Sequence, residues 1–117
     1  MTAPNVVNVA TITAKTAVQA VGTSAAAIVT NAASSNKVFK VNALYVSNVD
    51  GSSAADVNVS VQRGGTDYHI AKTISVPADS TLDILSKSVY LEEGDALRLL
   101  ASAASDLEAV CSYEEIS

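Results

Sequence analysis

The sequence predicts an all-β protein, an antiparallel β-sandwich of jelly-roll-like form with an extended N-terminal segment. Three observations point there. About half of the 117 residues are apolar, mostly Val, Ala, Leu and Ile, with one Phe and no Trp; this small, β-branched bias favours strands. "DVNVSVQR" sets Val57, Val59 and Val61 on one face and Asn58, Ser60 and Gln62 on the other, the period of two of a half-buried strand. From residue 37 onward, short apolar runs alternate with turn signals roughly every 8–12 residues, the spacing of a sandwich.

Taken in chain order, residues 1–36 are almost wholly Ala, Val, Thr, Asn and Ser, without an aromatic or an acid. Val6 to Thr13 and Ala25 to Asn31 are the expected strands of this part. Two arrangements fit it: the first strands of the sandwich, or an arm that pairs along a sheet edge in its own subunit or the next. The body, residues 37–117, begins with the long strand "KVFKVNALYVSNV", which ends at a loop opened by Asp50-Gly51. "DVNVSVQR" and "YHIAKTISV" form a hairpin around Gly64-Gly65, a pair suited to the positive φ of a tight turn. Pro77 and "PADS" stop the second of these strands. "TLDILS", "VYL", "ALRLLAS" and "LEAVCSYEEI" complete seven strands in the body. No stretch carries an apolar stripe of helical period over three turns; "SSAAD" or "SAASD" could form one helical turn at most.

Charge divides the chain. Residues 1–49 hold three lysines, Lys15, Lys37 and Lys40, and no Asp or Glu. Residues 50–117 hold all twelve acids and four bases, Arg63, Lys72, Lys87 and Arg98, for a balance of −8 within a net charge of −5. An acid-free front half suits acidic surface, either that of another molecule or that of its own body. Lys15, Lys37 and Lys40 are therefore the candidate docking residues. Three scattered lysines on an acidic chain make no phosphate-binding patch, so nucleic acid is not an expected partner. No apolar run approaches the ~20 residues of a membrane span, and the first fifteen residues lack the basic and apolar regions of a signal peptide. With one cysteine, Cys111, no internal disulfide can form. The expectation is a soluble protein folding in a reducing compartment.

The catalytic inventory is thin. His69 is the sole histidine, lies in a predicted strand with no motif supplying partners, and is expected at the surface or an edge. One His and one Cys cannot close a structural zinc site. Cys111 alternates with Ala109 and Tyr113, as a buried, inert thiol does. No serine sits in a nucleophile elbow, "RGGTD" lacks the features of a phosphate loop, and no acidic ladder of a calcium loop is present. "VYLEEGDALRL" gathers Glu92, Glu93 and Asp95 around Gly94. The flanking alternation places them where the chain reverses, with carboxylates left in water around a turn. No catalytic, cofactor-binding or metal-ligating residue is assigned, and no enzyme activity is expected.

"KVNALYVSNVDGSSAADVNVSVQRGG", "AKTISVPADSTLDILSKSVYLEEGDALRL" and "DLEAVCSYEEI" together resemble small virion structural proteins of tailed bacteriophages, of the marine and cyanobacterial phage type. The resemblance covers roughly residues 37–117, and its motifs record turns and strand registers. It implies a β-sandwich subunit of a virion, made in the host cytoplasm. The leading form is a capsid decoration (cement) protein that binds the major capsid protein or other virion proteins as a homo-oligomer, such as a trimer. A neck or tail adaptor, a fibre-associated subunit and a lectin-like receptor-binding head are the alternatives.

Overall fold

The computed structural model describes residues 10–117. Nine strands and no helix form over these residues: β1 (Ile12–Val21), β2 (Ala26–Thr30), β3 (Val38–Asn48), β4 (Ala55–Arg63), β5 (Thr66–Val76), β6 (Thr81–Asp83), β7 (Val89–Leu91), β8 (Ala96–Ala101) and β9 (Leu107–Ile116). One sheet runs β1-β9-β3 with β6 and β7 both on the far side of β3; the other runs β2-β8-β4-β5. Every pairing is antiparallel. β6 pairs with Tyr45–Ser47 and β7 with Phe39–Val41, so the two behave as halves of one interrupted strand. Counted that way, the eight-strand, two-sheet order is that of a jelly roll.

The seven body strands fall where the apolar runs lie. The β4–β5 hairpin closes on Gly64 (φ 60°) and Gly65 (φ 80°), two left-handed residues of the kind a two-residue turn demands. β3 carries a shift in its pairing to β9 between Val41 and Ala43. The sequence explains it: Phe39 and Val41 face the core from odd positions, Leu44, Val46 and Asn48 from even ones, and one extra residue resets the alternation. The single helical turns considered for "SSAAD" and "SAASD" do not form: "SAASD" is loop, and "SSAAD" runs from loop into the start of β4 at Ala55.

The N-terminal strands differ in part from expectation. β2 matches its expected place, but the strand expected over Val6–Thr13 is centred later, at Ile12–Val21; residues 6–9 lie outside the described residues. β1 is an edge strand with only Val21 buried, so its sequence shows little of the alternation that marks a half-buried strand. β1 pairs with β9 and β2 with β8 of the same chain, which makes both of them strands of the same sandwich as the body.

The core lies between the sheets. Leu44, Leu91, Leu97, Leu99, Leu107, Val57, Val59 and Val76 are each at most 1 % exposed, and burying a side chain of this size stabilises by about 1.5–3 kcal/mol. Phe39 and Tyr113 meet with ring centroids 5.6 Å apart. At the end of the sandwich where β3 finishes, the buried Asn48 amide donates to Ser53 O and Val76 O, 2.9 Å each, and its Oδ1 accepts Asp50 N–H at 2.9 Å. One side chain thereby ties three segments.

Candidate functional site

The opposite end of the sandwich collects charge, and the strand period explains why. On β4 the inward row Val57–Val59–Val61 continues to Arg63; on β8 the inward row Ala101–Leu99–Leu97 continues to Asp95. On β9, Leu107–Ala109–Cys111–Tyr113 continues to Glu115, and on β1, Val21–Gln19–Ala17 continues to Lys15. All four rows run toward the same end. Each inward row thus gives way to a charged residue where the two sheets open to water.

The pairs Val61↔Leu97 and Gln62↔Ala96 bring Arg63 and Asp95 opposite one another. Arg63 Nε donates to Asp95 Oδ1 at 2.8 Å and Arg63 Nη2 to Asp95 Oδ2 at 2.6 Å, a bidentate pair. Arg63 Nη2 also reaches Glu92 Oε2 at 2.9 Å. Asp95 is 1 % exposed, and Glu92 N–H caps its Oδ2 at 2.9 Å. The Arg63 guanidinium, aided by that N–H, holds the Asp95 carboxyl below its ordinary value against the opposing effect of burial. The turn itself is as expected: Asp95 N–H donates to Glu92 O at 3.0 Å, and Gly94 takes φ 90°. The expectation that all its carboxylates stay in water is corrected at Asp95, which belongs to the inward row of β8. Glu93 has a smaller task, accepting Asn36 N–H at 3.1 Å.

Two of the three candidate docking lysines converge on one carboxylate. Lys15 Nζ lies 2.9 Å from Glu115 Oε2, and Lys37 Nζ lies 3.1 Å from Glu115 Oε1. The Lys15 ammonium, then Lys37, holds Glu115 below the usual carboxylate range, and Glu115 raises Lys15 in return. Lys40 lies apart from this cluster. It sits on β3 between Tyr90 and Glu114 in register, on the outer face of the sheet.

Asn31 joins the turns behind these ion pairs. It is fully buried; its amide donates to Lys37 O at 2.9 Å and Leu91 O at 3.1 Å, and its Oδ1 accepts Ser35 Oγ at 2.5 Å. Gly94 N–H donates to Asn31 O, and Asn31 N–H to Asp95 O.

Chemically, this end is saturated. Asp95, which is buried, and Glu115, which is partly buried, are ionised and bonded to cations, which leaves neither as a proton donor near neutral pH. Among the described residues, no three His, Cys, Asp or Glu side chains are grouped so as to hold a metal ion. His69 is exposed on edge strand β5. Cys111 is fully buried, and burial pushes its thiol up to about 11, far from the range of a reactive thiolate.

No family model matches the chain, and no curated protein matches it. Among solved structures, a chain from Bacillus endospore appendages, described as forming a novel family of disulfide-linked pili, superposes with a TM-score of 0.55. It shares 18 % identity, and the match covers 92 % of this chain and 87 % of that one. At that identity the likeness establishes the fold, an all-β sandwich.

Proposed function

We propose that the chain is a non-catalytic structural subunit of a larger particle, and that the particle is a phage virion, with the protein decorating its shell. The observation that carries the structural role is the fate of the charged groups. Those that point between the sheets are consumed in pairing one another, and the turn that gathers three carboxylates serves as a fastening. What supports the virion is the run of turn and strand motifs over residues 37–117 that resembles small virion proteins of tailed phages. What supports assembly more broadly is the shared sandwich fold of an appendage protein that builds pili. That protein's pili are disulfide-linked; here the single cysteine is Cys111, which is fully buried, so copies of this chain would be held by non-covalent surfaces.

As a cement subunit, the protein would bind assembled shell and not its dissociated parts, stabilising the shell by linkage. Many weak contacts would sum through multivalency. Of the candidate docking lysines, Lys40 is the one not held by Glu115. The direct test is co-sedimentation of purified protein with emptied tailed-phage capsids, followed by thermal melting of the loaded shells. Binding at regular stoichiometry with a raised shell melting temperature is the expected result. Absence of binding, with filaments of the protein alone in the electron microscope, would overturn the virion reading in favour of an appendage.

A further inference from the structure

The sandwich has two long edges, and they are built differently. β1 pairs with β9 without a register shift from Ile12↔Ile116 to Val21↔Leu107. It contains no Gly or Pro, and its one charge, Lys15, is held by Glu115. Thr11 and Ser117 exchange both main-chain hydrogen bonds, at 3.0 and 2.9 Å. That sets the phase of the ladder: odd residues bond to β9, while the N–H and C=O groups of Ile12, Ala14, Thr16, Val18 and Ala20 face the open edge. Among the described residues, no strand lies beyond β1.

The other edges are guarded. β5 carries two register shifts against β4, a left-handed Thr73 (φ 54°), and Asp67, His69 and Lys72. Bulges and charges of this kind disfavour edge-to-edge pairing. β2 has five residues and a register shift, and β6 and β7 have three residues each.

We propose that β1 is a self-association edge, with two copies pairing β1 against β1 antiparallel about a two-fold axis. A second copy fits because the edge is self-complementary. Val18, 74 % exposed, stands in register with Val110 and Tyr45 on the outer face, themselves 40 % and 43 % exposed. Setting Val18 opposite Val18 of the second copy joins the two rows into one apolar band across the dimer. The same register places Thr16 opposite Ala20 and Lys15 opposite Val21, so no like charges meet. It forms about six main-chain hydrogen bonds. A head-to-tail chain would need a second regular edge, which the described residues lack, so the pairing closes at two. This interface goes beyond the structural-subunit reading and does not depend on it.

The test uses the full chain. By sedimentation at micromolar concentration, the wild type is expected to be a dimer. Val18→Lys sets two ammonium groups face to face on an exposed site that plays no part in folding, and should weaken the dimer at least about tenfold; Lys72→Glu on β5 should not. Val18→Cys should cross-link on oxidation, because residues opposite one another in a hydrogen-bonded antiparallel pair lie about 5.5 Å apart at Cα, within disulfide reach. Val110→Cys, one strand further in, should not cross-link. A monomeric wild type, or a dimer that survives Val18→Lys unchanged, overturns the proposal. A monomer that still decorates shells would do so while leaving the cement reading intact.

Discussion

Each end of the sandwich is fastened by one buried asparagine, and the comparison between the two ends shows what charge adds. Asn48 ties Ser53, Val76 and Asp50 at one end; Asn31 ties Lys37, Leu91 and Ser35 at the other. In both cases a neutral side chain supplies two donors and an acceptor, and one of its partners, Val76 O or Leu91 O, is buried with it. Only the Asn31 end also carries Arg63–Asp95 and the pair of lysines on Glu115. The neutral fastening is indifferent to pH and salt. Ion pairs are not, so the fastenings of one end depend on pH and salt in a way that the Asn48 bonds do not.

The largest way to break this comparison is to remove the asparagines. Asn48→Ala and Asn31→Ala each leave two carbonyls without their donor, and at roughly 1–3 kcal/mol for each such group a loss of about 3 kcal/mol is expected from either. Urea unfolding measures it; a large loss for one and almost none for the other would show the two ends are not equivalent. Next in size is Asp95→Ala, expected to cost about 2 kcal/mol through the uncapped Glu92 N–H and the lost partner of Arg63. Asp95→Asn keeps an acceptor for that N–H and should cost less.

Acid separates the ends more finely. Asp95 and Glu115 both have folded-state values below their unfolded ones. Their contribution is present above the unfolded carboxylate range, about pH 4. It is lost as pH falls from about 5 through the lowered folded-state values. Wild type and Asn48→Ala should therefore lose stability in parallel over that window, whereas Asp95→Asn should show a flatter profile. A wild-type curve with no slope below pH 5 would remove the charged end's special status. The smallest effect belongs to Lys15→Met, whose ammonium is well exposed. It should barely move the unfolding midpoint, and it should reduce the dependence of that midpoint on salt.

Much of this was legible in the residues, and some of it was not. The body strands, the Gly64-Gly65 hairpin and the Gly94 turn follow from alternation and turn chemistry. So does the charged end: Arg63 and Asp95 continue rows begun by Val61 and Leu97, and the parity that puts those valines and leucines inside puts their charged successors there too. The "EEGD" turn masks that, because Asp95 is the residue at which the strand period resumes. Asn31 could not be found this way. Its partners include Leu91, sixty positions away, and a side chain bonding to distant backbone leaves no local pattern. The extent of β1 beyond Thr13 is illegible for a related reason: an edge strand with one buried residue has little amphipathic signal to give.

Pairing β1 with β9 also bears on how the chain reaches this state. The two strands are separated by everything from β2 to β8, so β1 emerges from the ribosome long before β9, its one ladder partner among the described residues, exists. Until β9 is synthesised, both sides of β1 lack hydrogen-bond partners within its sheet, and β3 lacks its central neighbour as well. Closure of such distant contacts makes folding slow and leaves the five-stranded sheet to form late, as one cooperative step. The regular edge that invites a second copy in the finished protein is thus, during synthesis, the segment most in need of protection from premature pairing.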